Sequence, residues 1–127
     1  MQPVSPPPRH QTPQVIQRLI SAYKLWHEFL PHISKDFRYS LGTKVDRSLI
    51  ETAEFLFIAS YLGKEHKLPY LQKANARLDL AKFFLQILWD AGALDNQKYI
   101  LLSEKLDEIG RDLGGWIKGT QSKTPAK

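Results

Sequence analysis

Between residues 14 and 118 apolar side chains recur every three or four positions, and no stretch alternates with a period of two for long enough to make a strand. Steps of 3 and 4 keep side chains on one side of an α-helix, so the chain predicts helices alone. Ile16, Leu19, Tyr23, Trp26 and Leu30 mark a first helix, with Thr12 and Pro13 as its start. A hydroxyl can cap free backbone N–H groups there, and proline is tolerated in a first turn. Pro31 predicts its end, because the ring has no N–H and pushes Leu30 out of helical geometry. A second helix starts between Asp36 and Ser40 and runs to about Leu62, with Val45, Leu49, Thr52, Leu56 and Ala59 as its inward line. After the connector 63–68, Pro69 suits the first turn of a third helix, whose seam is Leu71, Ala74, Leu78, Ala81, Leu85 and Leu88. Gly92 predicts a left-handed cap, and Asp95 opens a fourth helix with the seam Tyr99, Leu102, Leu106, Ile109, Leu113 and Trp116. Four such helices with short connections predict an all-α, up-down-up-down antiparallel four-helix bundle over residues 14–118.

The apolar positions outnumber what four seams need. Ile50, Phe55, Phe57, Ile58, Tyr61 and Leu62 lie off the main line of helix two, leaving a narrow polar strip near Glu51 and Glu54. Leu80, Phe83, Phe84 and Ile87 lie off that of helix three. Exposing them all would make a large sticky patch, so the pattern predicts self-association through Ile50, Phe55, Phe57, Tyr61, Phe83, Phe84 and Ile87. Outside the periodic region, residues 1–13 hold five of the eight prolines and predict a disordered arm. The run Pro6-Pro7-Pro8 could preorganise a polyproline ligand, although an unstructured leader is the simpler reading. Residues 119–127 are polar and predict a flexible tail.

Composition narrows the function classes. The 127 residues make one domain, and the absence of cysteine removes disulfides, thiolate zinc sites and cysteine nucleophiles and fits a reducing cytoplasm. The longest charge-free apolar stretch, Phe55 to Gly63, is nine residues, against about 20 for a membrane span. No basic start followed by an apolar run predicts a secretory leader. A net charge of +5 and a pI near 9.5 favour polyanions as partners, although the same charge also keeps a protein dispersed.

The usual catalytic constellations do not occur. A di-iron bundle needs Glu-x-x-His on paired helices, which is absent, and His27-Glu28 lacks the second histidine of a metalloprotease motif. His10, His27, His32 and His66 are scattered. Gly110, Gly114 and Gly115 stand in GRDLGG without the Gly-Lys-Ser/Thr ending or the strand of a phosphate loop, so the better reading of 110 and 114 is that they let a neighbouring helix come close or loosen the final turns before Trp116. No catalytic residue, metal ligand or cofactor is expected. The distinctive feature is the placement of charge. Residues 64–82 carry five basic and two acidic side chains, and residues 95–118 carry four basic and five acidic. Lys67, Tyr70, Lys73 and Arg77 follow one side of helix three, and Arg38, Lys44 and Arg47 cluster at the head of helix two. Cations interleaved with an aromatic suit phosphates and an unstacked base, while a solvated face whose arginines pair with Asp46, Asp79 or a neighbour's acids remains the plain alternative.

Three segments carry a family resemblance: Arg38-Tyr39-Ser40-Leu41-Gly42, Lys73-Ala74-Asn75-Ala76-Arg77-Leu78, and the closing Leu106-Asp107-Glu108-Ile109-Gly110-Arg111-Asp112-Leu113-Gly114-Gly115-Trp116-Ile117-Lys118. Across residues 15–118 the chain resembles the accessory variability determinant (Avd-like) proteins of diversity-generating retroelements. These are related to the four-helix-bundle proteins encoded within 23S ribosomal RNA intervening sequences. The resemblance implies a homopentameric barrel with a basic surface that binds RNA or DNA and docks on a reverse transcriptase. It implies a non-catalytic role in mutagenic cDNA synthesis. The chain departs from many relatives in having Ser34-Lys35-Asp36-Phe37 where they have a Phe-Pro pair, and in its proline-rich arm. Two alternatives remain: a protein–protein adaptor whose basic face meets an acidic partner, and an intervening-sequence protein with no retroelement role.

Overall fold

The computed structural model describes residues 13–122, and every regular element in that range is helical. Helix α1 spans Gln14–Phe29, followed by a 3-10 turn over Leu30–His32. Then come the short α2 (Lys35–Arg38), α3 (Leu41–Tyr61), α4 (Lys64–Asp90) and α5 (Asn96–Ser122). The four long helices pack in a closed order: α3 against α4, α4 against α5, α5 against α1, and α1 against α3. The seam residues of α3 and α4 are all buried, as are Leu102, Leu106, Ile109 and Leu113 of α5, and they meet Leu19, Ala22 and Trp26 of α1 in one core. Each fully buried leucine stabilises the fold by about 1.5–3 kcal/mol relative to an exposed one. Burying this shared face is what holds the helices together.

The α4–α5 turn follows its local chemistry. Gly92 takes φ 77°, and the N–H of Ala93 reaches the Leu88 carbonyl while that of Gly92 reaches Trp89, the two bonds of a Schellman cap. Asp95 then accepts the N–H of Lys98 through Oδ1 at 2.9 Å, as an N-cap does. A second glycine meets a different demand. Gly42 is buried, and a Cβ on it would stand 3.3 Å from Leu30 Cδ1 and 3.4 Å from the Phe37 carbonyl, so a side chain there would press on the α2–α3 corner.

Several boundaries differ from the periodicity. Leu30 stays in the helical region (φ −55°, ψ −44°), and the chain leaves it only at Ile33 (φ −88°, ψ 132°). Without a donor on Pro31 the helix tightens into a 3-10 turn rather than stopping at once. Ser40 precedes α3, but its hydroxyl points back to the carbonyls of Asp36 and Phe37, closing α2 instead of capping α3. The third predicted helix begins at Lys64, five residues before Pro69, because a proline this near the start removes one rung while the buried seam holds the turn. The last helix runs past Lys118 to Ser122, into the segment expected to be loose, and the Thr120 hydroxyl ties back to the Trp116 carbonyl at 2.9 Å. Gly110 and Gly114 do not serve close packing: an added Cβ would meet Leu78 at an ordinary 3.8 Å at 110 and nothing within 4 Å at 114. Thr12 and the proline-rich residues before it lie outside the described residues.

Candidate nucleic-acid interface

The basic side chains sort by what they touch. Lys44 and Arg47 stand exposed on the first turns of α3, and neither has a carboxylate within 4 Å among the described residues. Lys73 is exposed on α4 with its Nζ 5.2 Å from the Tyr70 ring centre and 5.9 Å from that of Phe55. Lys67 is half-buried, and its Nζ lies 5.2 Å over the Trp116 ring. These four keep their charge available to an anion.

Arg77 and Arg38 are otherwise engaged. Arg77 Nε lies 3.6 Å from Glu51 Oε1, so the polar strip of α3 serves as its counter-ion instead of Asp46 or Asp79. The Arg38 guanidinium donates to the Ile33 carbonyl at 2.9 and 3.1 Å and to the Pro31 carbonyl at 3.0 Å. It thereby ties α2 back to the 3-10 turn and to Ile33, where the chain becomes extended. Tyr70, expected to offer its ring to a base, packs against the core, 6.4 Å from Phe55. Tyr39 is the more open of the two tyrosines, 73% exposed beside Arg38.

The arrangement can bind a phosphate backbone, with an interruption. From Lys44 to Phe55, beside which Lys73 lies, α3 advances about 16 Å, the span of roughly five phosphates on a strand. The Glu51–Arg77 pair falls between the two cationic ends. Asp46, near Arg47 in sequence, is occupied by Tyr23 Oη at 2.9 Å and Trp26 Nε1 at 3.3 Å. Burial first, then the hydrogen bond and charge of Asp46, raise the Tyr23 hydroxyl above its ordinary pKa. Among the described residues, no three His, Asp or Glu side chains gather where they could hold a metal ion, and no helix is long and apolar enough to cross a membrane.

The residues assigned to self-association separate as well. Ile50, Phe57, Tyr61 and Phe83 are exposed, at 42, 54, 62 and 54%. Phe55 and Phe84 are half-buried against their own bundle, and Ile87 is half-buried too, because side chains flanking a seam fill the groove to the next helix. Ile50 and Phe57 also line an apolar groove of about 360 Å³ between α1 and α3, shared with Leu19, Ile20 and Tyr23. Ile20, Ile100 and Leu101 are exposed apolar residues that the seams did not single out. The pairing of Lys67 with Trp116 had no local signal either, since it depends on which turn of α4 meets which turn of α5. No protein-family model matches the chain, and no curated protein is significantly similar to it.

Proposed function

We propose that this chain is a non-catalytic, nucleic-acid-binding accessory protein that works as a homo-oligomer. In the reading drawn from its Avd-like segments, it assists the reverse transcriptase of a diversity-generating retroelement. The observation that carries the binding role is that, among the described residues, Lys44, Arg47, Lys67 and Lys73 have no carboxylate partner. The same reading takes the bundle as up-down-up-down. Cross-helix partners run in opposite numerical order, 51 with 77 and 55 with 73 between α3 and α4, and 18 with 108 and 29 with 98 between α1 and α5. Exposed Ile50, Phe57, Tyr61 and Phe83 support assembly of copies, which would repeat the cationic patch by symmetry.

The test is fluorescence anisotropy of labelled single-stranded RNA and DNA with the full chain and with a Lys44→Glu/Arg47→Glu/Lys73→Glu variant. The reading expects the variant to lose most of its affinity with an unchanged helical circular dichroism spectrum. Equal affinity of the two proteins would reject it.

A further inference from the structure

We propose that the end of the bundle where α4 begins and α5 finishes is a pocket for one unstacked nucleotide, its base against Trp116 and its phosphate on Lys64 and Lys67. The proposal rests on the nucleic-acid-binding reading above and adds to it a discrete site for a base. The pocket holds about 210 Å³ and is lined by Lys64, Lys67, Trp116, Gly119 and Thr120. That is below the 300–1,000 Å³ of sites for drug-sized ligands, so it suits a single flat group and not an extended molecule. Two ammonium groups and, among the described residues, no carboxylate line it. Glu65, the acid on the same turn of α4, lies 3.9 Å from His66.

Trp116 already holds a cation against its ring, with Lys67 Nζ at 5.2 Å. A half-buried indole beside ammonium groups is the pairing that proteins use for a base and its phosphate. The Thr120 hydroxyl donates to the Trp116 carbonyl at 2.9 Å, which spends its proton and leaves its oxygen as an acceptor at the pocket wall.

The glycines supply the independent observation. Gly114, Gly115 and Gly119 interrupt the last turns of α5, and an added Cβ would meet nothing within 4 Å at any of them. Glycine weakens a helix interior, and at 114 and 115 no segment among the described residues requires the missing side chain. Bare backbone is what a closely approaching ligand requires, and Gly119 forms one wall of the pocket.

The experiment uses the full chain and two single-stranded DNA 12-mers of equal charge, one with thymine at every position and one abasic at every position. Affinity is read by anisotropy and stacking by tryptophan fluorescence. Trp26 is wholly buried, but Trp89 is 39% exposed although stacked on Tyr99 with its N–H on Asn96, so emission is read in a Trp89→Phe background, where quenching by a base reports on Trp116. The thymine strand should quench the emission and bind about 5- to 160-fold more tightly than the abasic strand, the range expected for one base stacked on an aromatic ring. Trp116→Ala should abolish both differences and leave abasic binding unchanged. Since Trp116 also touches the core, Gly119→Leu is the companion variant, filling the pocket from its open wall. It should remove the base preference with the helical spectrum intact. Tight binding of both strands with equal affinity and no quenching, or a base preference that survives Gly119→Leu, would overturn the pocket alone. Binding of neither strand would overturn the nucleic-acid reading and the pocket with it.

Discussion

The Asp46 carboxylate accepts two donors from α1, the Tyr23 hydroxyl and the indole N–H of buried Trp26. Asp46→Leu removes the Oδ1 acceptor that both donors share and leaves a buried donor without a partner, so it should destabilise the fold by about 1–3 kcal/mol in urea unfolding. The same contact has a pH signature. Because the Tyr23 pKa is raised in the folded state, its stabilising contribution is present below the unfolded value of 10.0 and is lost as pH rises through the folded one. The urea midpoint should therefore fall in alkali, and by less in a Tyr23→Phe variant. Gly114 behaves oppositely. It is exposed, its Cβ position is open, and it lies within α5, so Gly114→Ala should stabilise the chain by about 0.5–1 kcal/mol and raise the melting temperature.

At the scale of the helix, Pro69 is the clearest weak point. It occupies the sixth position of α4, where the rung to the Glu65 carbonyl is missing, and its ring is exposed. Pro69→Ala should stabilise the protein, read as a higher urea midpoint with an unchanged slope. The helices themselves were legible because each seam depends only on spacing along one helix. Leu71 through Leu88 and Val45 through Ala59 are buried as their 3-and-4 steps require. The Gly92 and Asp95 caps were legible for the same reason, being local chemistry. What a single helix cannot reveal is its register against the next. The Arg77 partner Glu51, the Lys67 partner Trp116 and the hold of Arg38 on Ile33 all depend on which turns meet or how a loop folds back. In the structure Arg77 and Arg38 have partners within the chain, Lys44, Arg47, Lys67 and Lys73 have no carboxylate within 4 Å among the described residues, and Tyr70 packs against the core.

On the whole molecule, apolar and cationic surfaces lie side by side. The α1–α3 groove, with Ile20, Ile50 and Phe57, and the exposed Phe83 of α4 leave more apolar area in water than scattered single residues would. Light scattering at micromolar concentration should give a mass that is a multiple of 14.6 kDa, and Phe57→Lys should reduce it to the single-chain value. A repeated patch also makes binding steeply dependent on salt, because each neutralised phosphate releases counterions. With Lys44, Arg47 and Lys73 engaged, the slope of log affinity against log salt for a single strand should be about −2 per contacting subunit. That slope is the most direct measurement of the central claim. A value near −2 or steeper, made shallower when the three residues are neutralised, is the predicted result, and an affinity that does not change from low to moderate salt would contradict it.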